Sequence, residues 1–172
     1  MLHLAYLSAN AQSFSKGNLD DLFLKRHRYL PHLDSTMDVT KLSADGRKAL
    51  IYKLFAVDQM YRDSLNRIGW QSESDKTDHF WNLIMINDPV NQAILLKLLR
   101  RYGWPCEKSK SDLSFKAWFI VWHTRGNYEQ LSKFYPYLVK ANQMKCVNAN
   151  QFKDVHDKIV LMKQERGLPK YK

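Results

Sequence analysis

The stretch SADGRKALIYKLFAVDQMYRDSLNRIG, residues 43–69, decides the fold. Leu50, Leu54, Val57, Tyr61, Leu65 and Ile68 recur every three or four positions, which lays one apolar stripe along an α-helix. Ser43 supplies an oxygen suited to capping its first turn, and Gly69 stops it in the manner of a C-cap glycine. The same period continues outward on the carboxyl side. A second helix is expected from near Asp75–Asp78, burying Phe80, Trp81, Ile84 and Met85. Asp88-Pro89 should interrupt it, with Asp88 capping a new helix that carries Ile94, Leu95, Leu98 and Leu99 and ends at Gly103.

Ser111 or Asp112 opens the apolar run through Phe115, Trp118, Phe119, Val121 and Trp122. That density points to a helix buried on most sides, with a buried strand as the alternative. Gly126-Asn127 breaks and re-caps the chain. A helix with Leu131, Phe134, Tyr135, Leu138 and Val139 follows, and Pro136 should kink or shorten it. Asn148 or Asn150 caps a last helix holding Phe152, Val155, Ile159 and Met162. No pair of runs carries hairpin turn chemistry. The expected fold is therefore all-α, an irregular single-domain bundle of about six helices. Residues 1–17 read as a leader and linker, 18–40 as an amino-terminal helix and loop, and 41–172 as the helical domain.

The composition agrees with that reading. Hydrophobic residues make up 45% of 172 positions, enough for a real core and too many for a disordered chain. Six glycines and five prolines are too few for a turn-rich β fold. The net charge of +10 favours anionic partners, namely nucleic acid, lipid headgroups or an acidic protein. The charge is spread; Lys25-Arg26-His27-Arg28 and Lys97 with Arg100-Arg101 are its densest points. Cys106 and Cys146 form no metal-type spacing, and either bridge or remain two free thiols.

At the amino terminus, Leu2–Leu7 is a short apolar run, and Ala9-Asn10-Ala11 resembles the end of a secretory signal. No Lys or Arg precedes the run, and it is shorter than an ordinary signal core. Periplasmic or secreted localisation follows if this is a signal remnant, and a cytoplasmic one otherwise. No stretch has membrane-spanning length.

The polar motifs stand on the helices. Asp58-Gln59 leads to Arg62 one turn later, and Asp88 leads to Asn91. Gly103-Trp104-Pro105 follows, and the aromatic run ends in His123. In that order these elements resemble an uncharacterised bacterial domain-of-unknown-function family with D-Q-x-x-R, D-x-x-N, G-W-P and Q-H-A-D elements and a G-x-x-Q-x-Y-G-T-Q ending. Here Trp122-His123-Thr124-Arg125 keeps only the histidine of the fourth element. Asp157-Lys158-Ile159 stands where the family has D-R-V. Gly167 and Tyr171 are what remains of the ending. The resemblance implies an all-helical fold, frequent export and no established activity.

Each motif also has a plainer meaning. Asp58 and Arg62 would make an exposed ion pair contributing only about 0.3–0.5 kcal/mol. Asp88 and Asn91 would serve a helix start, His123 would be a hydrogen-bonded core imidazole, and Trp70, Trp104, Trp118 and Trp122 would anchor the core. Gly103, Trp104 and Pro105 read as a structural turn. In the functional reading, Asp58, Gln59, Arg62, Asp88 and Asn91 line a polar pocket for a small anionic ligand, and His123 acts as a base oriented by Asp157. No metal or cofactor is expected. The expectation is a binding domain outside the cytoplasm, taking a small anionic ligand or an acidic protein. The alternatives are a hydrolase-like enzyme using His123 with a neighbouring acid, and a basic nucleic-acid-binding or immunity-type protein.

Overall fold

The computed structural model describes residues 33–70, 75–107 and 112–168. The signal-like start and the helix expected after Asn18 lie outside them. Five α-helices and no strand occur among the described residues: α1 (Ala44–Ile68), α2 (Asp75–Tyr102), α3 (Leu113–Trp122), α4 (Tyr128–Gln143) and α5 (Ala149–Glu165), with a 3-10 turn (His123–Gly126) after α3. The protein is an all-α bundle.

Three helices are capped by residues the sequence points to, whereas Asp112, at the start of α3, makes no side-chain cap and is bonded by Tyr52 and Lys116 instead. Ser43 Oγ accepts from Gly46 N at 3.1 Å, and Gly69, at φ 89°, donates its N–H to the Leu65 carbonyl at 2.8 Å. Asn127 caps α4 through Gln130 N at 3.0 Å. Asn148 and Gln151 form a reciprocal capping box on α5, each side chain bonding the other's backbone N–H, at 2.8 and 3.0 Å.

α1 and α2 form a helical hairpin, α3 packs across both, and α4 pairs with α5 while touching α2 and α3. Leu54, Ile94, Leu95, Ile120, Val121, Phe134, Leu138 and Ile159 make the centre of the core. Residues 33–40, part of the expected loop before α1, pack on this body. Val39 is buried in the core, and the Tyr102 hydroxyl donates to the carbonyls of Val39 and Thr40, at 2.8 and 2.9 Å.

Two prolines behave differently from expectation. Pro89 does not start a helix; α2 runs through it for 28 residues. Its ring denies the Met85 carbonyl an N–H. Met85 and Ile86 lie on the exposed side, where water can serve that carbonyl. The buried side of α2, set by Thr77, Ile84, Asn91 and Leu98 at seven-residue intervals, continues without a break. Pro136 likewise sits exposed within α4 and does not shorten it. The phase of α2 also corrects an expected burial: Ile84 is inside, whereas Trp81 and Met85 face outward.

The two cysteines form a disulfide, Cys106–Cys146, across 40 positions of sequence. It ties the turn after α2 to the turn between α4 and α5. Gly103, at φ 76°, ends α2, and the Trp104 indole is buried, donating to Ser114 Oγ at 2.7 Å. Gly103-Trp104-Pro105 is thus a packed turn anchored by an indole and followed by a covalent bridge.

Candidate functional site

One face of α1 carries Leu54, Asp58 and Arg62 at four-residue spacing, all buried. This face meets Asp88 and Asn91 on α2 and His123 at the start of the 3-10 turn. Three separate elements therefore bring the sequence-identified polar residues to one place.

Arg62 is the hub. Its guanidinium forks onto Asp88, Nη1 to Oδ1 at 3.0 Å and Nη2 to Oδ2 at 2.6 Å. Nη1 also donates to the Asp58 backbone carbonyl at 2.6 Å and lies 3.3 Å from Asp58 Oδ1. Asp58 in turn accepts from Gln59 Nε2 at 2.6 Å, and both of its oxygens lie 3.0 Å from His123 Nδ1. An ionised Asp58 can only accept, so Nδ1 carries the proton in this contact. Nε2 finds no hydrogen-bond partner among the described residues.

The network is sealed. The Asp58 side chain is 1% exposed, and those of Arg62, Asp88 and His123 are also largely covered. Burial pushes the Asp88 carboxyl above the ordinary carboxylate range, and Arg62 pulls against that shift. Two carboxylates face one guanidinium and one imidazole. A buried arrangement of this kind is held by mutual hydrogen bonding rather than by solvent. Asn91 lies fully buried beside it; its Nδ2 reaches the Leu54 carbonyl at a long 3.4 Å, and its Oδ1 has no protein partner.

The geometry changes three expectations. The Asp58–Arg62 pair is neither exposed nor mainly local, because the fork of Arg62 goes to Asp88, 26 positions away. Asp88 caps no helix. The acid on His123 is Asp58 and not Asp157, which stands exposed on α5 in an ion pair with Lys153. Arg62 is also committed: its two terminal nitrogens are engaged, so the guanidinium offers an incoming anion little beyond what Asp88 already takes. Neither described cavity is lined by the network. One lies at Arg47, Tyr102 and Trp104, the other at Met37, Lys97 and Arg101.

Above the network lies a feature that reading by motif passed over. Phe55 on α1 meets Phe115 and Phe119 on α3 in an aromatic ledge that Trp122 extends, and Tyr52 stands beside it, its ring 5.0 Å from Lys116 Nζ and its hydroxyl donating to Asp112. Phe119 and Trp122 stack at 5.5 Å and 9°, Phe55 meets Phe119 edge-on at 5.9 Å, and the His123 ring stands on edge against Phe119 at 4.8 Å. Lys116 lies 4.5 Å from the Phe55 ring centre, and the Arg125 guanidinium lies 3.5 Å over Trp122. The three- and four-residue spacing of Tyr52, Phe55 and Gln59, and of Phe115, Phe119 and Trp122, was the available signal. Among the described residues no group of His, Cys, Asp and Glu could hold a metal ion. None of the described helices is long and apolar enough to cross a membrane.

No protein-family model matches the chain, and no curated protein or solved structure matches it either.

Proposed function

We propose that this chain is a binding domain for an acidic protein partner, acting outside the cytoplasm. The partner sits on the aromatic ledge of α1 and α3, and the buried network beneath holds the ledge rigid. The observation that carries the reading is the saturation of Arg62 by Asp88 and Asp58. It leaves little for a small anionic ligand in the polar cluster and turns the binding surface outward. Partly buried rings lie beside Lys116 and Arg125, each paired with an acid, Asp112 and Asp154, so the ledge offers apolar area with charged groups at its edge, a mixture from which interface anchors are built. The net charge of +10 favours an acidic partner, and the disulfide favours an oxidising compartment such as the periplasm or the exterior. Kinship with the uncharacterised family resembled by the Asp58, Asp88 and His123 motifs belongs to the same proposal. It is supported by their meeting in space.

The test is capture by the immobilised full chain from an extracytoplasmic extract. An acidic protein should be retained at low salt and released as salt rises. Tyr52→Ala and Trp122→Ala, checked for native helicity, should each weaken retention at least about tenfold. Retention that ignores both substitutions would remove the ledge from the reading.

A second reading has one observation of its own. Asp58 on Nδ1 leaves Nε2 of His123 as the acceptor a general base needs. Against a panel of esters and phosphoesters, turnover lost in His123→Ala with an unchanged melting temperature would favour a hydrolase. Absence of turnover in the parent chain would end that reading.

A further inference from the structure

The bridge between Cys106 and Cys146 joins two turns, and each turn is fixed by contacts of its own. On one side the Gly103 N–H closes α2 on the Leu99 carbonyl at 2.9 Å, and Trp104 is buried. On the other, the Lys145 and Cys146 N–H groups donate to the Asn142 and Ala141 carbonyls at 2.9 and 2.8 Å. Val147 is then buried ahead of the capping box of α5. Opening the bond between the sulfurs removes none of these contacts.

This bridge also differs from one sealed in a core. Cys106 is exposed and Cys146 half-buried, so a thiolate from solution can approach at Cys106. Lys145, the exposed neighbour of Cys146 in sequence, adds positive charge there, which favours the thiolate that leaves when the bond breaks. Its φ of 57° is left-handed, a conformation strained for a residue with a side chain, so the turn that carries Cys146 has conformational energy to release. Ser114, in the first turn of α3, lies between the two turns. Its Oγ accepts from the Trp104 indole at 2.7 Å and donates to the Cys146 carbonyl. The bridge and Ser114 therefore grip the start of α3 together, and Phe115, the next residue, begins the ledge.

We infer that Cys106–Cys146 is a redox clasp: a dithiol opens it while the bundle stays folded, and opening loosens the first turns of α3. One thiolate of the dithiol attacks the Cys106 sulfur, forms a mixed disulfide and expels the Cys146 thiolate, which takes up a proton. The second thiol of the donor then attacks its own sulfur in the mixed disulfide and expels Cys106. The dithiol loses two electrons and closes to a disulfide, and the two cysteines gain them. A disulfide oxidant reverses the sequence, so in an oxidising compartment the clasp rests closed. The inference holds whether or not the ledge takes a partner, because its readouts are the two thiols and the backbone of α3.

The test exposes the full bridged chain to a few millimolar dithiothreitol at neutral pH without denaturant. The bridge should open within minutes, with both cysteines becoming reactive to an alkylating reagent and the helical circular dichroism retained. Amide hydrogen exchange at Lys116, Ala117 and Trp118 should quicken at least about tenfold, while Leu95, Leu99 and Leu138 stay protected. Cys106→Ser combined with Cys146→Ser should show the same fast exchange with no reductant present, and oxidised glutathione should return the reduced parent to slow exchange. A bridge that resists the dithiol until denaturant is added overturns the inference. Loss of the helical signal on reduction overturns it too, since the bond is then a staple of the fold. So does unchanged exchange in α3 once the bridge has opened.

Discussion

Arg62 answers to two carboxylates on two helices, and its replacement shows what a sealed network demands. Arg62→Met keeps most of the apolar stem but leaves Asp88 buried and unpaired. We expect a loss of about 3–5 kcal/mol in urea denaturation, well above the fraction of a kcal/mol that an exposed pair would give. The pH dependence has a definite sign. The folded-state pKa of Asp88 is raised above its ordinary value of 3.8, with burial as the main cause. The folded chain therefore holds that proton more tightly than the unfolded one. The corresponding stability is fully present below pH 3.8 and is lost as pH rises through the folded value. Asp34, Asp38 and Glu129 are shifted the other way, by their hydrogen bonds, so the whole-protein curve mixes both signs. The difference between parent and Asp88→Asn isolates the buried group. It should fall with rising pH across the acidic range, and a flat difference would contradict the assignment. At this scale the sequence identified Asp58, Arg62, Asp88, Asn91 and His123 as belonging together. It did not reveal the pairing, because spacing along a helix reports only neighbours three or four positions away. Asp157 was assigned to His123 by motif order, and motif order carries no distance.

Helix boundaries set by local chemistry were legible; those depending on tertiary packing were not. Ser43, Asn127 and Asn148 cap by bonding to the backbone three residues on, which a sequence displays directly. Asn148→Ala would remove the side-chain cap on α5 and leave the Gln151 backbone N–H without its acceptor. A loss of about 1 kcal/mol is expected by denaturant titration. Pro89 is the opposite case. Its local preference for a helix start is overridden because the residues on either side of it bury one continuous face. Pro89→Ala should restore the hydrogen bond to Met85. Since proline also restricts the unfolded chain, the net gain should be about 1–2 kcal/mol, less than the full cost of an interior proline. A loss of stability would mean that the ring itself makes a needed contact. The outward turn of Trp81 and Met85 has the same origin. Hydrophobicity suggests burial, but the helix has one phase, and Ile84, Asn91 and Leu98 fix it.

For the molecule as a whole, the all-α architecture could be read from periodicity and scarce turn residues. The cysteine pairing could not, since two cysteines 40 positions apart reveal nothing of their separation in space. The Cys106–Cys146 bridge restricts the unfolded chain, and loop-closure entropy places its contribution at about 4 kcal/mol. Cys106→Ser with Cys146→Ser should lower stability by up to that amount. An unchanged denaturation midpoint would mean that the bridge does not form.

The same bridge divides the molecule in a way that the bundle conceals. The span from Cys106 to Cys146 is a closed covalent ring containing α3, His123 and the whole of α4, while Asp58, Arg62 and Asp88 lie on the chain before it. A single peptide cleavage inside the ring leaves one molecule under non-reducing conditions, and thiol treatment frees two pieces. A cleavage between α1 and α2 separates the chain once it is denatured, whatever the thiol state. Electrophoresis of a lightly proteolysed sample, with and without reductant, therefore shows whether a cut fell inside or outside the ring.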